Sequence, residues 1–124
     1  MPIETVINEN KKQVFHIVNG ILTFDEIVVA MNNLYSNPSF LTEMDILIDV
    51  LPGSTSALSS EEIHRIVEMT RLAGDARGTG RSVAIAAEEK DYGVLHVMEF
   101  LLKDEKRTLK IVRSREEAEQ WLRE

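Results

Sequence analysis

Hydrophobic and polar positions change period several times along this chain, and each change marks a new element. Residues 3–9 and 13–19 have the β-branched pattern of two strands, joined by a polar turn short enough for a hairpin. On the second strand Val14, His16 and Val18 share one face, because successive side chains of a strand point to opposite sides. The acidic residues of the first strand predict that it lies at a sheet edge.

The pattern then becomes helical. Apolar residues from Phe24 to Tyr35 recur three and four positions apart, which places them on one face of a helix. Asn37-Pro38 predicts its end, because the residue before proline avoids the helical region. Segment 44–51 is apolar at nearly every position, so it predicts a strand that is covered on both faces.

The rest of the chain continues to alternate between the two periods. It predicts a helix from Ser59 that ends at Gly74, a strand over 81–87, a helix after Asp91, a strand over 108–113 and a helix capped by Ser114. The order is β-β-α-β-α-β-α-β-α, and such alternation favours parallel pairing through right-handed crossovers. We therefore expect an α/β fold with a single mixed, mostly parallel five-stranded sheet and four helices, forming one domain over residues 1–124.

Three of the predicted helices begin with the same polar signature. A Ser or Thr is followed three residues later by Glu, so each side chain can accept a hydrogen bond from the other residue's backbone N–H. The pairs are Thr23 with Glu26, Ser59 with Glu62 and Ser114 with Glu117.

Composition and charge narrow the class of protein. The chain has no Cys, which excludes disulfides and thiolate metal sites and suits a reducing cytoplasm, so we expect a cytoplasmic protein. Its N-terminus lacks the features of a signal peptide, and no apolar run predicts a transmembrane segment. The net charge of −7 argues against nucleic acid as a partner, because that binding depends on neutralising phosphates.

One basic cluster stands against this acidic background. Its residues are Lys103, Lys106, Arg107, Lys110, Arg113 and Arg115, with acidic residues interleaved among them. A solvated face of mixed charge is the first interpretation. A weak site for an anionic partner or surface is the second.

The loop after the buried strand carries the main candidate site. In open α/β sheets ligands collect beyond the carboxyl ends of the strands. We therefore expect Asp49, Ser54, Thr55 and Ser56 to contact a partner or ligand, with a hydrogen-bonded structural role as the alternative for Asp49. Ser59 and Ser60 are candidate phosphoacceptors, although a helix cap also accounts for Ser59.

Other kinds of site lack support in the sequence. His16, His64 and His96 do not have metal-ligand spacing, so we expect no metal and no cofactor. The glycines from Gly74 to Gly80 precede a strand, whereas a phosphate-binding loop follows one. A nucleophile elbow and a cysteine nucleophile are both missing, and we therefore expect a protein that is not an enzyme.

Five segments together resemble the bacterial STAS-like family, which is related to anti-sigma-factor antagonists and to the lipid-binding Sec14 fold. They are 20–26 (GILTFDE), 45–50 (DILIDV), 81–86 (RSVAIA), Tyr92-Gly93 and 112–122 (VRSREEAEQWL), and they span nearly the whole chain. In the antagonists the equivalent loop carries an Asp-Ser pair whose serine is phosphorylated by a partner kinase. None of the serines in 54–60 is preceded by Asp, so the sequence departs from that motif.

The resemblance implies two functions. The first is a non-enzymatic regulatory or protein-interaction module, switched by phosphorylation, whose partner is another protein. The alternative is a carrier or sensor of a small apolar, lipid-like ligand, which the small side chains of Ser82, Ala84 and Ala86 also favour. A homodimer would cover a sheet edge left open in so small a sheet.

Overall fold

The computed structural model describes residues 2–103 and 109–124, with the backbone alone at Asp75. Its strands are β1 (Ile3–Asn8), β2 (Gln13–Val18), β3 (Asp45–Val50), β4 (Ser82–Ala86) and β5 (Leu109–Val112). Its helices are α1 (Phe24–Tyr35), α2 (Ser60–Leu72), the single turn α3 (Gly74–Arg77), α4 (Glu89–Leu102) and α5 (Arg115–Arg123).

The five strands lie side by side in chain order, β1-β2-β3-β4-β5. β1 and β2 form an antiparallel hairpin that aligns Asn8 with Gln13, and the three later strand pairs are parallel. β1 is an edge strand, as its acidic residues predict. The α/β fold with one mixed, mostly parallel sheet and four helices longer than a single turn is confirmed for the described residues.

Helices cover both faces of the sheet. We call the side toward α1, α2 and α4 the front face; His16, Ile48 and Ala84 are register neighbours there. On the back face α5 packs against Leu47 and Val83. The central strand β3 is therefore covered on both sides, as its continuous apolar run predicts.

One helix boundary differs from the prediction, and one short helix was not predicted. α4 begins at Glu89, before Asp91, because the Glu88 side chain caps it by accepting from the Asp91 N–H. α2 ends at Leu72, which agrees with the predicted stop at Gly74. Gly74 itself opens the unpredicted turn α3, and a positive φ of +84° follows at Gly78. Of the predicted strand 108–113, Leu109–Val112 is observed and residue 108 lies outside the described ranges.

Gly78 and Gly80 allow two loops to touch. A Cβ at Gly78 would overlap the carbonyl oxygen of Thr42, and one at Gly80 would overlap that of Met44. Between them, Thr79 N donates to the Thr42 carbonyl at 2.8 Å. These glycines therefore serve close backbone packing at the amino ends of β3 and β4. Among the described residues, none of the helices has the length and hydropathy of a membrane span.

Candidate functional site

Ser54 is buried under the loop that follows β3. Its hydroxyl lies 2.7 Å from the Leu51 carbonyl and 3.3 Å from the Val18 carbonyl, and its own carbonyl accepts from Leu22 N at 2.8 Å. Only 1% of Ser54 is exposed. These bonds join the loop to the end of β2 and to the segment before α1, so the Ser54 side chain has a structural role.

Thr55 is held by a carboxylate that the sequence pattern did not single out. Asp91, in the first turn of α4, accepts from Gly53 N at 2.8 Å and from Thr55 N at 3.1 Å, and it also accepts a short bond from the Thr55 hydroxyl. Asp91 is 1% exposed. Its partners lie 36 and 38 residues away in the chain, so no local motif connects them. In the sequence, Asp91 is an acidic residue near the start of a predicted helix. Acidic residues are also common at the start of exposed helices, so this position did not indicate a buried carboxylate.

The remaining loop serines lie at the surface. Ser56, Ser59 and Ser60 are all exposed. Ser59 is the N-cap of α2, and its side chain accepts from Glu62 N at 3.1 Å while Glu62 accepts from Ser59 N at 2.9 Å. The predicted capping box is therefore confirmed, as is the box of Thr23 and Glu26 in α1. The third predicted box forms only in part: Ser114 accepts from Glu117 N, but the Glu117 carboxylate bonds to the Ser114 hydroxyl and not to its backbone N–H.

Asp49 lies on the opposite face of the sheet from Thr55. In register it stands between Ile17 and Ile85 on the back face, and it is half-buried. No described residue donates a hydrogen bond to its carboxylate. The structure therefore does not bring Asp49 together with Ser54, Thr55 and Ser56, and the residues proposed from the sequence form no single site.

The larger feature on the front face is an apolar cavity of about 230 Å³. Its floor is the sheet, and α1, α2 and α4 supply its walls. The apolar lining includes Ile27, Ile48, Ile66, Ala84, Leu95 and Met98. Ala84 deepens the floor because its side chain is short, which agrees with the predicted small-residue face of β4.

A small set of polar side chains also lines this cavity. Arg77 is 3% exposed. Its guanidinium donates to the Met44 carbonyl at 3.1 Å, to the Arg81 carbonyl at 2.8 Å and to Ser82 Oγ at 2.9 Å and 3.2 Å. His16 lies in the floor with its Nδ1 2.8 Å from Thr5 Oγ1.

His16 is a neutral base in this setting. Burial, and secondarily the positive charge of Arg77, lower the pKa of His16 from 6.5 to about 4. The imidazole therefore carries one donor and one acceptor nitrogen at neutral pH. The strand pattern predicts that His16 lies on this face of β2, but it predicts no function for the ring.

A second depression of about 400 Å³ runs along the outside of β1 and α1. Glu9, Glu26 and Asn33 line it together with apolar residues such as Val29. Its volume is larger, but its lining is more polar than that of the front-face cavity. Because ligand sites are mostly apolar, we regard the front-face cavity as the candidate site.

The basic cluster near the C-terminus is dispersed into separate pairs in the part that is described. Arg113 donates to Glu89 at 3.0 Å, and Arg115 donates to Glu119 at 3.1 Å. The hydrogen bond from Arg113 lowers the pKa of Glu89 below its usual value. Lys106 and Arg107 lie outside the described residues. The described pairs agree with a solvated face of mixed charge.

No metal-binding group of three His, Cys, Asp or Glu side chains occurs within residues 2–103 and 109–124. Comparisons with protein-family models, with characterised proteins and with solved structures found no match to this chain. The resemblance to the STAS-like family therefore stays a prediction, and function has to be argued from the cavity and its lining.

Proposed function

We propose that this protein binds a small apolar molecule in the front-face cavity, as a carrier or sensor. The observation that carries the proposal is the cavity of about 230 Å³ between the sheet and three helices. Interiors of folded proteins normally leave few voids larger than a water molecule. An apolar space of this size lowers stability when empty, and a ligand that fills it recovers dispersion contacts.

The arrangement of polar groups supports binding as the role. Ligand sites are mostly apolar, with a few placed polar groups that orient the ligand. Here Ile48 and Met98 represent the apolar wall, and His16 and Ser82 are polar groups of the sheet floor. We assign no chemical step to any residue.

Native mass spectrometry of protein purified from its own host tests the proposal. We expect one bound small molecule per chain, which organic extraction releases for identification. Ala84→Leu should abolish this mass, because the added side chain enters the floor of the cavity. Ala57→Leu, the same change at an exposed loop position, is the control and should retain the ligand.

The proposal fails if host-derived protein carries no extra mass and purified protein also does not bind 1-octanol in a calorimetric titration. It also fails if Ala84→Leu folds and still binds 1-octanol as tightly as the unchanged chain. Circular dichroism of each variant establishes that it is folded before binding is measured.

A regulatory module switched by phosphorylation is the second candidate. The observation in its favour is that Ser56, Ser59 and Ser60 are exposed around the start of α2. A phosphoryl group there would lie near the positive end of the helix dipole. Phosphopeptide mapping of the protein from its host tests this; absence of phosphate from all three serines would count against the switch.

A further inference from the structure

We propose that the ligand of the front-face cavity is a medium-chain carboxylate whose head group lies beside Ser82, in the field of Arg77. This inference rests on the proposed function and specifies the class of molecule bound.

Ser82 and Arg77 lie toward the amino ends of the parallel strands. Ser82 is the first residue of β4, and Arg77 precedes that strand on α3. His16 faces the same cavity from β2, where it is in register with Ala84, so it lies two strands away from Ser82 and further along the sheet. At the carboxyl ends the polar residue in the lining is Thr55, whose hydroxyl donates to Asp91. The head group therefore belongs at the end near Ser82.

Ser82 offers a donor whose direction is fixed by Arg77. Its Oγ accepts from both Nε and an Nη of Arg77, at 3.2 Å and 2.9 Å. A hydroxyl that accepts twice has its single hydrogen left to donate. That hydrogen cannot point at the guanidinium, because both are positively polarised. A carboxylate oxygen lying over the sheet floor is an acceptor for it.

The charge of Arg77 reaches the cavity interior. Its field is one of the two causes that oppose protonation of His16. Charges interact more strongly in a poorly solvated interior than in water, so the same field favours an anionic head group. His16 adds a ring nitrogen that the bond to Thr5 does not use.

The volume limits the size of the ligand. About 230 Å³ lies just below the roughly 300–1,000 Å³ of sites for drug-sized molecules, which favours a small ligand. Octanoate is therefore a suitable probe, and 1-octanol is the matched neutral probe with the same chain length.

Calorimetric titration of the purified protein at pH 7 with octanoate and with 1-octanol tests the inference. We expect octanoate to bind about tenfold more tightly, the size of one charge-assisted hydrogen bond. Ser82→Ala should remove most of that preference while 1-octanol binding stays unchanged. Ser36→Ala is the matched control, because it removes the hydroxyl of an exposed serine outside the cavity lining, which donates to the Asn32 carbonyl. It should keep the preference.

Titration of the His16 ring by NMR gives a second readout that does not depend on a variant. Bound octanoate should raise the pKa of His16, because a nearby carboxylate stabilises the imidazolium, and bound 1-octanol should not. Equal affinity for the two probes, or no change at His16, overturns the head-group assignment and leaves the proposed function standing. Survival of the preference in Ser82→Ala, or its loss in Ser36→Ala alone, overturns it as well. If neither probe binds, the proposed function fails and this inference fails with it.

Discussion

Asp91 shows how much one buried carboxylate contributes at the scale of a residue. It accepts three hydrogen bonds from Gly53 and Thr55 and thereby fixes the loop that closes the carboxyl end of the cavity. A buried carboxylate and its hydrogen-bond donors depend on one another. Removing one of them leaves the remaining buried groups without a hydrogen-bond partner, which destabilises the fold.

Asp91→Ala should therefore destabilise the protein strongly. Two backbone N–H groups and one hydroxyl lose their acceptor, and we expect a loss of about 3 kcal/mol in the free energy of unfolding. Urea denaturation followed by circular dichroism measures this. Glu89→Ala in the same turn is the control, since Glu89 pairs with Arg113 at the surface, and it should leave the midpoint nearly unchanged. Equal midpoints for the two variants would contradict the role given to Asp91.

His16 makes stability depend on pH. Its pKa is about 4 in the folded protein and about 6.5 when unfolded, so the unfolded chain binds more protons between those values. Stability from the neutral ring is therefore fully present above about pH 6.5 and is lost as pH falls toward 4.

Lowering the pH from 7 to 5 should reduce the free energy of unfolding of the unchanged protein by about 2 kcal/mol more than that of the His16→Gln variant. Urea unfolding at the two pH values gives the difference for each chain. His64→Gln is the control because that ring lies exposed on α2, bonded to the Ser60 carbonyl. If His16→Gln loses as much stability as the unchanged protein, the buried neutral imidazole is not the cause.

At this scale the sequence predicted local contacts and missed distant ones. The capping pairs were visible because their members lie three residues apart. The bond between Thr55 and Asp91 joins positions 36 residues apart, and only the fold brings them together. The same holds for Arg77, whose guanidinium donates to the Met44 carbonyl 33 residues away.

Elements are where the sequence pattern was most informative. Strand and helix periods gave the order of the long elements because burial on one face constrains every second residue of a strand and every third or fourth of a helix. The short turn α3 was not foreseen, since four residues are too few to show a period.

Ser59 and Ser60 allow the cap of α2 to be separated from any other role. Ser59→Ala removes the acceptor for Glu62 N and should cost about 1 kcal/mol in unfolding free energy. Ser60→Ala should change it by less than about 0.5 kcal/mol, because its exposed side chain has no cap bond. Thermal denaturation of the two variants side by side measures both. A larger loss in Ser60→Ala would show that the cap is misassigned.

Two glycines in different elements should respond oppositely to alanine. Gly93 lies inside α4, where a Cβ meets nothing within 4 Å, so Gly93→Ala should stabilise the protein by about 0.5–1 kcal/mol through helix propensity. Gly80→Ala should destabilise it, because the methyl group would collide with the Met44 carbonyl. Urea midpoints that move in the same direction for both would refute this account.

For the molecule as a whole, the sequence predicted the layers but not the space between them. Apolar stripes tell which face of a helix points inward, yet they do not tell how closely it approaches the sheet. The cavity exists because α1, α2 and α4 leave room above Ala84 and Ile48. That separation depends on many side chains together, and no single motif records it.

Arg81 connects the C-terminal helix to the rest of the molecule. Its guanidinium donates to the carbonyls of Trp121, Leu122 and Glu124, and it lies 5.1 Å from the centre of the Trp121 ring. Arg81→Met should lower the free energy of unfolding by about 2 kcal/mol, since several helix-end carbonyls lose a charged donor. Arg65→Met, at an exposed pair on α2, is the control for chemical denaturation. A similar loss in both would contradict this role.

The order of the strands also bears on how the protein folds. Each strand pairs with its neighbour in the chain, so the sheet grows at one edge and no strand is inserted between two earlier ones. Each new pairing then closes only the loop of one intervening connection, and the entropy cost of that closure rises slowly with length. A ribosome-bound chain can therefore add its strands in the order of synthesis. Because β5 supplies Leu109 and Ile111 to the lining, the ligand space is complete only after β5 has paired with β4.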